Sequence, residues 1–225
     1  MVVPNSVGIT KLAEQTASLP RMEIIENGVD IKTFFPHRER RSTSEVVFLS
    51  TSRLTPRKGI HLLIAAFALA LKQSSVPMKL WLIGEGEQRA GLEEQVRSLG
   101  IEQRVRFIGR VEHEALPDFY QQAHVFVPPS KNEGMSNSAL EALASGLPLV
   151  VSGTGGMQEL LQDGINGYFI DPDNAESFAR TLTVIAGDQE KLVAYGTASR
   201  SKAEQRSWAA VAGRFEQVLE KSYRS

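Results

Sequence analysis

The chain has no cysteine. That excludes disulfides and cysteine-based metal sites, and it suits a reducing compartment. It has no long apolar run. The longest, Leu62 to Leu71, covers about ten residues, where a membrane-spanning helix needs ~20, so it reads as a buried helix. Neither sign of charge dominates. The formal net charge of −1 gives no broad pull toward nucleic acid or an anionic membrane. The histidines, at positions 37, 61, 113 and 124, lack paired metal-ligand spacing. The start, Met1-Val2-Val3-Pro4-Asn5-Ser6, lacks the charged and apolar regions of a signal peptide. There is no low-complexity segment and no repeat at solenoid periods. What remains is ordinary globular composition: 225 residues, 42% hydrophobic and 23% charged, enough for one sizeable core.

From residue 45 to about 186, apolar strand-like runs alternate with helical patterns. Strands are expected at Glu45–Ser52, Met78–Gly84, Arg104–Gly109, His124–Pro129, Leu147–Ser152 and Tyr168–Ile170. Helices are expected at Ile60–Gln73, Glu87–Leu99, Glu114–Gln122, a segment between Ser136 and Gly146, and Ala175–Ile185. Near-continuous apolar strands belong to sheets covered on both faces. The alternation predicts an α/β fold, a Rossmann-like doubly wound parallel sheet with right-handed crossovers. Two tail helices follow, Gln189–Ala203 and one capped by Ser207 with a stripe of Trp208, Val211, Phe215, Val218 and Leu219. Before the sheet, a helix over Gly8–Ser18 and a short strand from Met22 to the Asn27-Gly28 turn are expected. Arg38 to Ser44 reads as a mobile polar linker, with Arg38, Arg40 and Arg41 in water.

The stretch from Ser130 to Gly146 carries the most chemistry. It follows a strand and holds one short helix, which Ser136 or Asn137 can cap. Gly134 permits close approach to the backbone, and a helix N-terminus attracts anions. Glu133 and Glu141 frame this mouth, on the order of 10 Å apart at ~1.5 Å per residue. Carboxylates accept pairs of hydroxyl donors, and that separation suits a sugar at one end of a diphosphate and a ribose at the other. The loop after the first strand holds Arg53 and Lys58, where open α/β sheets bind ligands. Two cations there can neutralise a diphosphate leaving group without metal. Arg57 faces water. Gly84-Glu85-Gly86 lacks the third glycine of a dinucleotide fingerprint, since Gly91 falls too late. Asp171-Pro172-Asp173 reads as turn and cap chemistry rather than a metal triplet.

Glu133-Gly134-Met135-Ser136-Asn137-Ser138-Ala139-Leu140-Glu141 resembles the Glu-x7-Glu element of retaining glycosyltransferases of the GT-B fold, group 1 or GT4-like. Arg53-Leu54 with Lys58-Gly59, and Gly155-Gly156 with Glu159, resemble two further elements of that family. The resemblance implies the C-terminal, donor-binding half of a GT-B enzyme. Residues 1–30 would then be the tail of an N-terminal acceptor domain plus the interdomain linker, 31–205 the donor-binding domain, and 206–225 a C-terminal helix. It implies transfer of a sugar, with retention, from a nucleotide diphosphate sugar to a saccharide or lipid-linked acceptor in polysaccharide or glycoconjugate synthesis. UDP is favoured as the carrier, with GDP as the alternative. The site it implies has Arg53, Lys58 and Glu133 at the reacting centre. Gly84, Arg110, Gly134, Met135, Ser136, Asn137 and Glu141 would bind the donor, the base lying near Arg110, with Glu159 structural. No metal or other cofactor, nucleic acid or direct membrane contact is implied, and the location is cytoplasmic or peripheral to the inner membrane face. A non-catalytic sugar-nucleotide module and a GT-B epimerase stay open beside the transferase.

Overall fold

A computed structural model describes Asn5, residues 23–130 and residues 135–223. The helix expected over Gly8–Ser18 lies outside the described residues, as do Glu133 and Gly134. The elements are β1 Val46–Thr51, α1 Ile60–Gln73, β2 Met78–Ile83, α2 Arg89–Ser98, β3 Val105–Gly109, α3 Leu116–Gln122, β4 Val125–Phe126, α4 Asn137–Ala144, β5 Leu149–Ser152, α5 Met157–Leu160, β6 Gly167–Ile170, α6 Ala175–Ala186, α7 Gln189–Glu204 and α8 Trp208–Tyr223. The strands form one parallel sheet in the order β3-β2-β1-β4-β5-β6. The expected doubly wound sheet is what forms.

Successive side chains of a strand point to opposite faces, and both faces are covered. Phe48 and Leu80 join Leu63, Ile64, Phe67 and Phe178 in one core. Val47, Leu49 and Val151 join Tyr120, Phe126, Leu140 and Leu143 in the other. Phe48 and Leu49 are both fully buried although adjacent, which is why β1 reads as an unbroken apolar run. Between β1 and β4 the chain's path across the sheet reverses. The C-terminal ends of those two strands flank the crevice where doubly wound folds hold ligands.

Three expectations need correction. Residues 23–28 form no strand; the segment makes one bridge, Val29 to Ser207, at the α7–α8 junction. With β3 and β6 as the sheet edges, it finds helix ends rather than a strand to pair with. The strand expected over His124–Pro129 shortens to Val125–Phe126, because Pro128 and Pro129 have no N–H for the ladder. The arginine linker leaves water only in part: Arg38 and Arg40 are exposed as expected, whereas Arg41 is half-buried. Arg41 donates to the carbonyls of Ser145 and Gly146 at 3.0 and 3.2 Å, and Arg40 to Asp118 and Gln121.

His124 is buried between this linker and β1. Its Nδ1 accepts from the Val47 N–H at 3.1 Å, and its Nε2 lies 2.9 Å from the Ser42 carbonyl. That pairing requires the neutral ring with its proton on Nε2, since a second proton would oppose the Val47 N–H. Burial holds the His124 pKa below the ordinary 6.5, helped by the charge of Arg41. The unfolded chain therefore binds more protons than the native one as pH falls through about 6.5, and stability drops. Urea unfolding from pH 7.5 downward should show this slope in the wild type. In His124→Gln the slope should be shallower, whatever the variant loses in absolute stability.

Candidate functional site

The crevice is built by the loops after β1, β2, β3 and β4. A cleft of about 430 Å³ is lined by Ser52 and Arg53 after β1, Gly84 and Glu85 after β2, and Arg110 and Val111 after β3. A smaller hollow adjoins it across the end of β1. It is lined by Thr51, Ser52, Lys58, Ser130, Ser136 and Ser138. Thr51 and Ser52 line both, so the two adjoin at the end of β1.

Lys58 is placed by a single turn of 3-10 helix, Pro56–Lys58, that closes on Gly59 at φ 67°. Only glycine enters that conformation at little cost, and there it lets α1 start one residue later. Gly84 is held more tightly. Its φ is +130°, and a Cβ there would lie 1.9 Å from the Ser52 carbonyl oxygen. The missing side chain thus admits the neighbouring loop that bears Arg53, while Gly84 itself lines the cleft.

α4 ends its N-terminal turn at the hollow. The Ser136 hydroxyl accepts from the Ala139 N–H at 3.3 Å and is the N-cap. Asn137 is exposed at the mouth and accepts from the Asn27 amide at 2.9 Å. The Met135 side chain is buried in the core that holds Leu140 and Leu143, and Met135 lines neither hollow. One turn along α4, Glu141 sits in a relay. The Tyr120 hydroxyl donates to Glu141 Oε2 at 2.9 Å and lies 3.0 Å from Thr51 Oγ1. His113 Nε2 lies 3.2 Å from Glu141 Oε1. Burial raises the Glu141 pKa, opposed by the hydrogen bonds from Tyr120 and His113. Burial, with the nearby Glu141 charge, pushes the Tyr120 hydroxyl well up, so it stays a donor.

The structure thus gathers Arg53, Lys58, Gly84, Arg110, Ser136, Asn137 and Glu141 along one edge of the sheet. Arg110 is largely exposed and pairs loosely with Glu112 at 3.5 Å. Arg57 is exposed, as expected. Sequence reasoning missed Thr51, His113 and Tyr120. Their only link to Glu141 is through space, and nothing in their local pattern distinguishes them. Asp171 accepts from the Asp173 N–H at 3.0 Å, and Asn174 caps α6, which is turn and cap chemistry. Among the described residues no group of three or more His, Asp or Glu is set to hold a metal.

A model of the family "Glycosyl transferases group 1" matches residues 32–202. An uncharacterized glycosyltransferase of Methanocaldococcus jannaschii is 35% identical over 167 residues, 73% of this chain and 42% of that protein. Among solved structures, sucrose-phosphate synthase from Thermosynechococcus elongatus superposes with a TM-score of 0.87 at 27% identity, covering 99% of this chain and 58% of that one. Anabaena HepE in complex with UDP-glucose gives 0.85 at 25% identity, covering 98% and 64%. The chain spans about two fifths to a half of the length of the curated relatives it matches.

Proposed function

Because the chain belongs to the glycosyl transferases group 1 family, we propose that it is the donor-binding half of a GT-B glycosyltransferase. By this reading, residues 31–205 hold a nucleotide diphosphate sugar, UDP-linked by preference. The sugar passes with retention to a saccharide or lipid-linked acceptor held by a further domain, with residues 1–30 as the link to it and 206–225 as a closing helix. The one observation that carries the reading is that Arg53, Lys58 and the N-terminus of α4 line adjoining hollows at the reversal point of the sheet, with Glu141 linked to Thr51 of that lining through Tyr120. HepE, similar over nearly all of this chain, is in complex with UDP-glucose.

The roles follow from charge and reach. Arg53 and Lys58 hold the diphosphate, and together with the α4 dipole they stabilise charge as the glycosidic oxygen of the donor departs. Glu141 accepts from the two ribose hydroxyls. Tyr120 holds one of its oxygens in place, and His113 yields the other to the ligand. The base lies in the cleft between Gly84 and Arg110. Glu133, at the other side of α4's mouth in sequence, orients hydroxyls of the transferred sugar. Leaving-group charge is met by side chains and backbone amides, with no metal required by this scheme. The enzyme would act in polysaccharide or glycoconjugate synthesis, at the cytoplasmic side of a membrane. Among the described residues no helix is long and apolar enough to cross one.

Calorimetry of the chain with UDP, GDP and ADP tests the donor class. UDP should bind most tightly, and Glu141→Gln should weaken it by about tenfold, the worth of hydrogen bonds to a charged acceptor. The deoxyribose analogue of UDP, lacking the 2′-hydroxyl, should lose less affinity to the variant than UDP does. Equal losses would remove the ribose from Glu141.

A further inference from the structure

A second cavity of about 150 Å³ lies away from the donor crevice, where the Pro36–Arg41 linker meets α4 and α7. Three arginines line it, Arg38, Arg41 and Arg200, and no acidic residue does. Arg200 is the most fully used. It donates to the carbonyls of Ile31, Phe34 and Ala144 and pairs with Glu204 at 2.9 Å. Arg38 donates to Thr197 Oγ1 at 3.0 Å from an exposed position. Arg41 uses one nitrogen, Nη2, on the carbonyls that end α4. Its Nε is buried and has no hydrogen-bond partner.

That arrangement is electrostatically incomplete. Burial, with the charge of Arg38 beside it, lowers the Arg41 pKa to about 10. A buried cationic donor without an acceptor is costly. Glycines shape the floor. A Cβ on Gly196 would lie 2.5 Å from the Gly146 carbonyl oxygen, and one on Gly146 would lie 2.9 Å from Pro36. These contacts bring α7 and the linker against the end of α4 and set the arginines around one hollow. Ligand pockets for drug-sized molecules start at roughly 300 Å³. This one is smaller and cationic, and it suits a compact anion with several acceptor oxygens.

We propose that the Arg38–Arg41–Arg200 cavity binds a phosphate-class oxyanion, either free phosphate or the phosphoryl group of a lipid headgroup. The anion accepts from the guanidinium nitrogens of Arg38 and Arg41 that Thr197 and the α4 carbonyls leave unused, and it offsets the crowding of like charges. It also ties the linker to the C-terminal end of α4, the helix whose N-terminus faces the donor crevice. At ~1.5 Å per residue the two ends of α4 are roughly 12 Å apart, so the two sites are separate.

Calorimetric titration of the chain with sodium phosphate, against sodium chloride at equal ionic strength, tests this. The wild type should bind saturably. Saturating UDP, which fills the donor crevice, should leave one saturable phosphate site in place. Arg38→Glu should weaken binding at least tenfold, and Arg38→Gln by a smaller factor. If Arg38→Glu does not fold, the Arg38→Gln comparison decides. Absence of saturable phosphate binding in the wild type would overturn the proposal. So would Arg38 variants that bind as the wild type does, or binding abolished by saturating UDP. Co-sedimentation with phosphatidylcholine vesicles containing phosphatidic acid separates the sources. Sedimentation that Arg38→Glu abolishes assigns a headgroup; any other result assigns soluble phosphate.

Discussion

Lys58→Ala lowers UDP affinity by about 30-fold or more in calorimetry, with the fold retained. The estimate follows from the chemistry of the crevice. A charge-assisted hydrogen bond to phosphate contributes about 1.5–3 kcal/mol, and 1.4 kcal/mol is tenfold in affinity. Lys58 lines the hollow beside Ser136 and Ser138, where the α4 N-terminus reinforces an anion's binding rather than replacing a lost cation. Lys58→Arg should recover only part of the loss, because a planar fork does not reproduce a compact ammonium. Asp171→Ala is the control. Its carboxylate serves the turn before α6, so UDP affinity should not change. Equal affinity in Lys58→Ala and Asp171→Ala would place the diphosphate elsewhere.

Gly84→Ala carries a large cost to stability. An alanine at φ +130° is strained, and its Cβ would lie 1.9 Å from the Ser52 carbonyl oxygen. Backbone cannot rotate away as a flexible side chain can. Strained φ/ψ alone costs on the order of 1–3 kcal/mol, and displacing the loop after β1 adds to it. A total near 4 kcal/mol, in the exceptional range for one substitution, should lower Tm by about 10 °C for a chain of this size. Since the displaced loop carries Arg53, UDP affinity should fall as well. Gly91→Ala offers the contrast: in α2, nothing lies within 4 Å of a Cβ there. Removing a helical glycine should stabilise by about 0.5–1 kcal/mol. Thermal and urea unfolding of both variants check the pair.

Much of the fold was legible because each signal was local. Glu45–Ser52 and Leu147–Ser152 read as buried strands since both faces of the sheet are covered. α1 was bounded correctly at both ends because Gly59 opens it and a serine follows Gln73. The cap on α4 was narrowed to two residues, and the structure selects Ser136. The failures were long-range. Arg41 looked solvated because the carbonyls it binds lie more than a hundred positions away. Residues 23–28 had a strand-like pattern, but the chain after them bridges Ser207 at the α7–α8 junction rather than a sheet edge. The relay through Thr51, Tyr120 and His113 to Glu141 is a product of topology, which brings the ends of β1, α3 and α4 together. Glu141 could be singled out by its spacing from Glu133; the groups that orient it had no such marker.

A crystal structure of the chain grown with UDP bears most directly on the donor-site account. The account predicts the diphosphate within hydrogen-bonding distance of Arg53 and Lys58, the ribose hydroxyls on Glu141 in place of His113, and uracil in the cleft between Gly84 and Arg110. A nucleotide seated away from that edge of the sheet, or a diphosphate that touches neither cation, would contradict it.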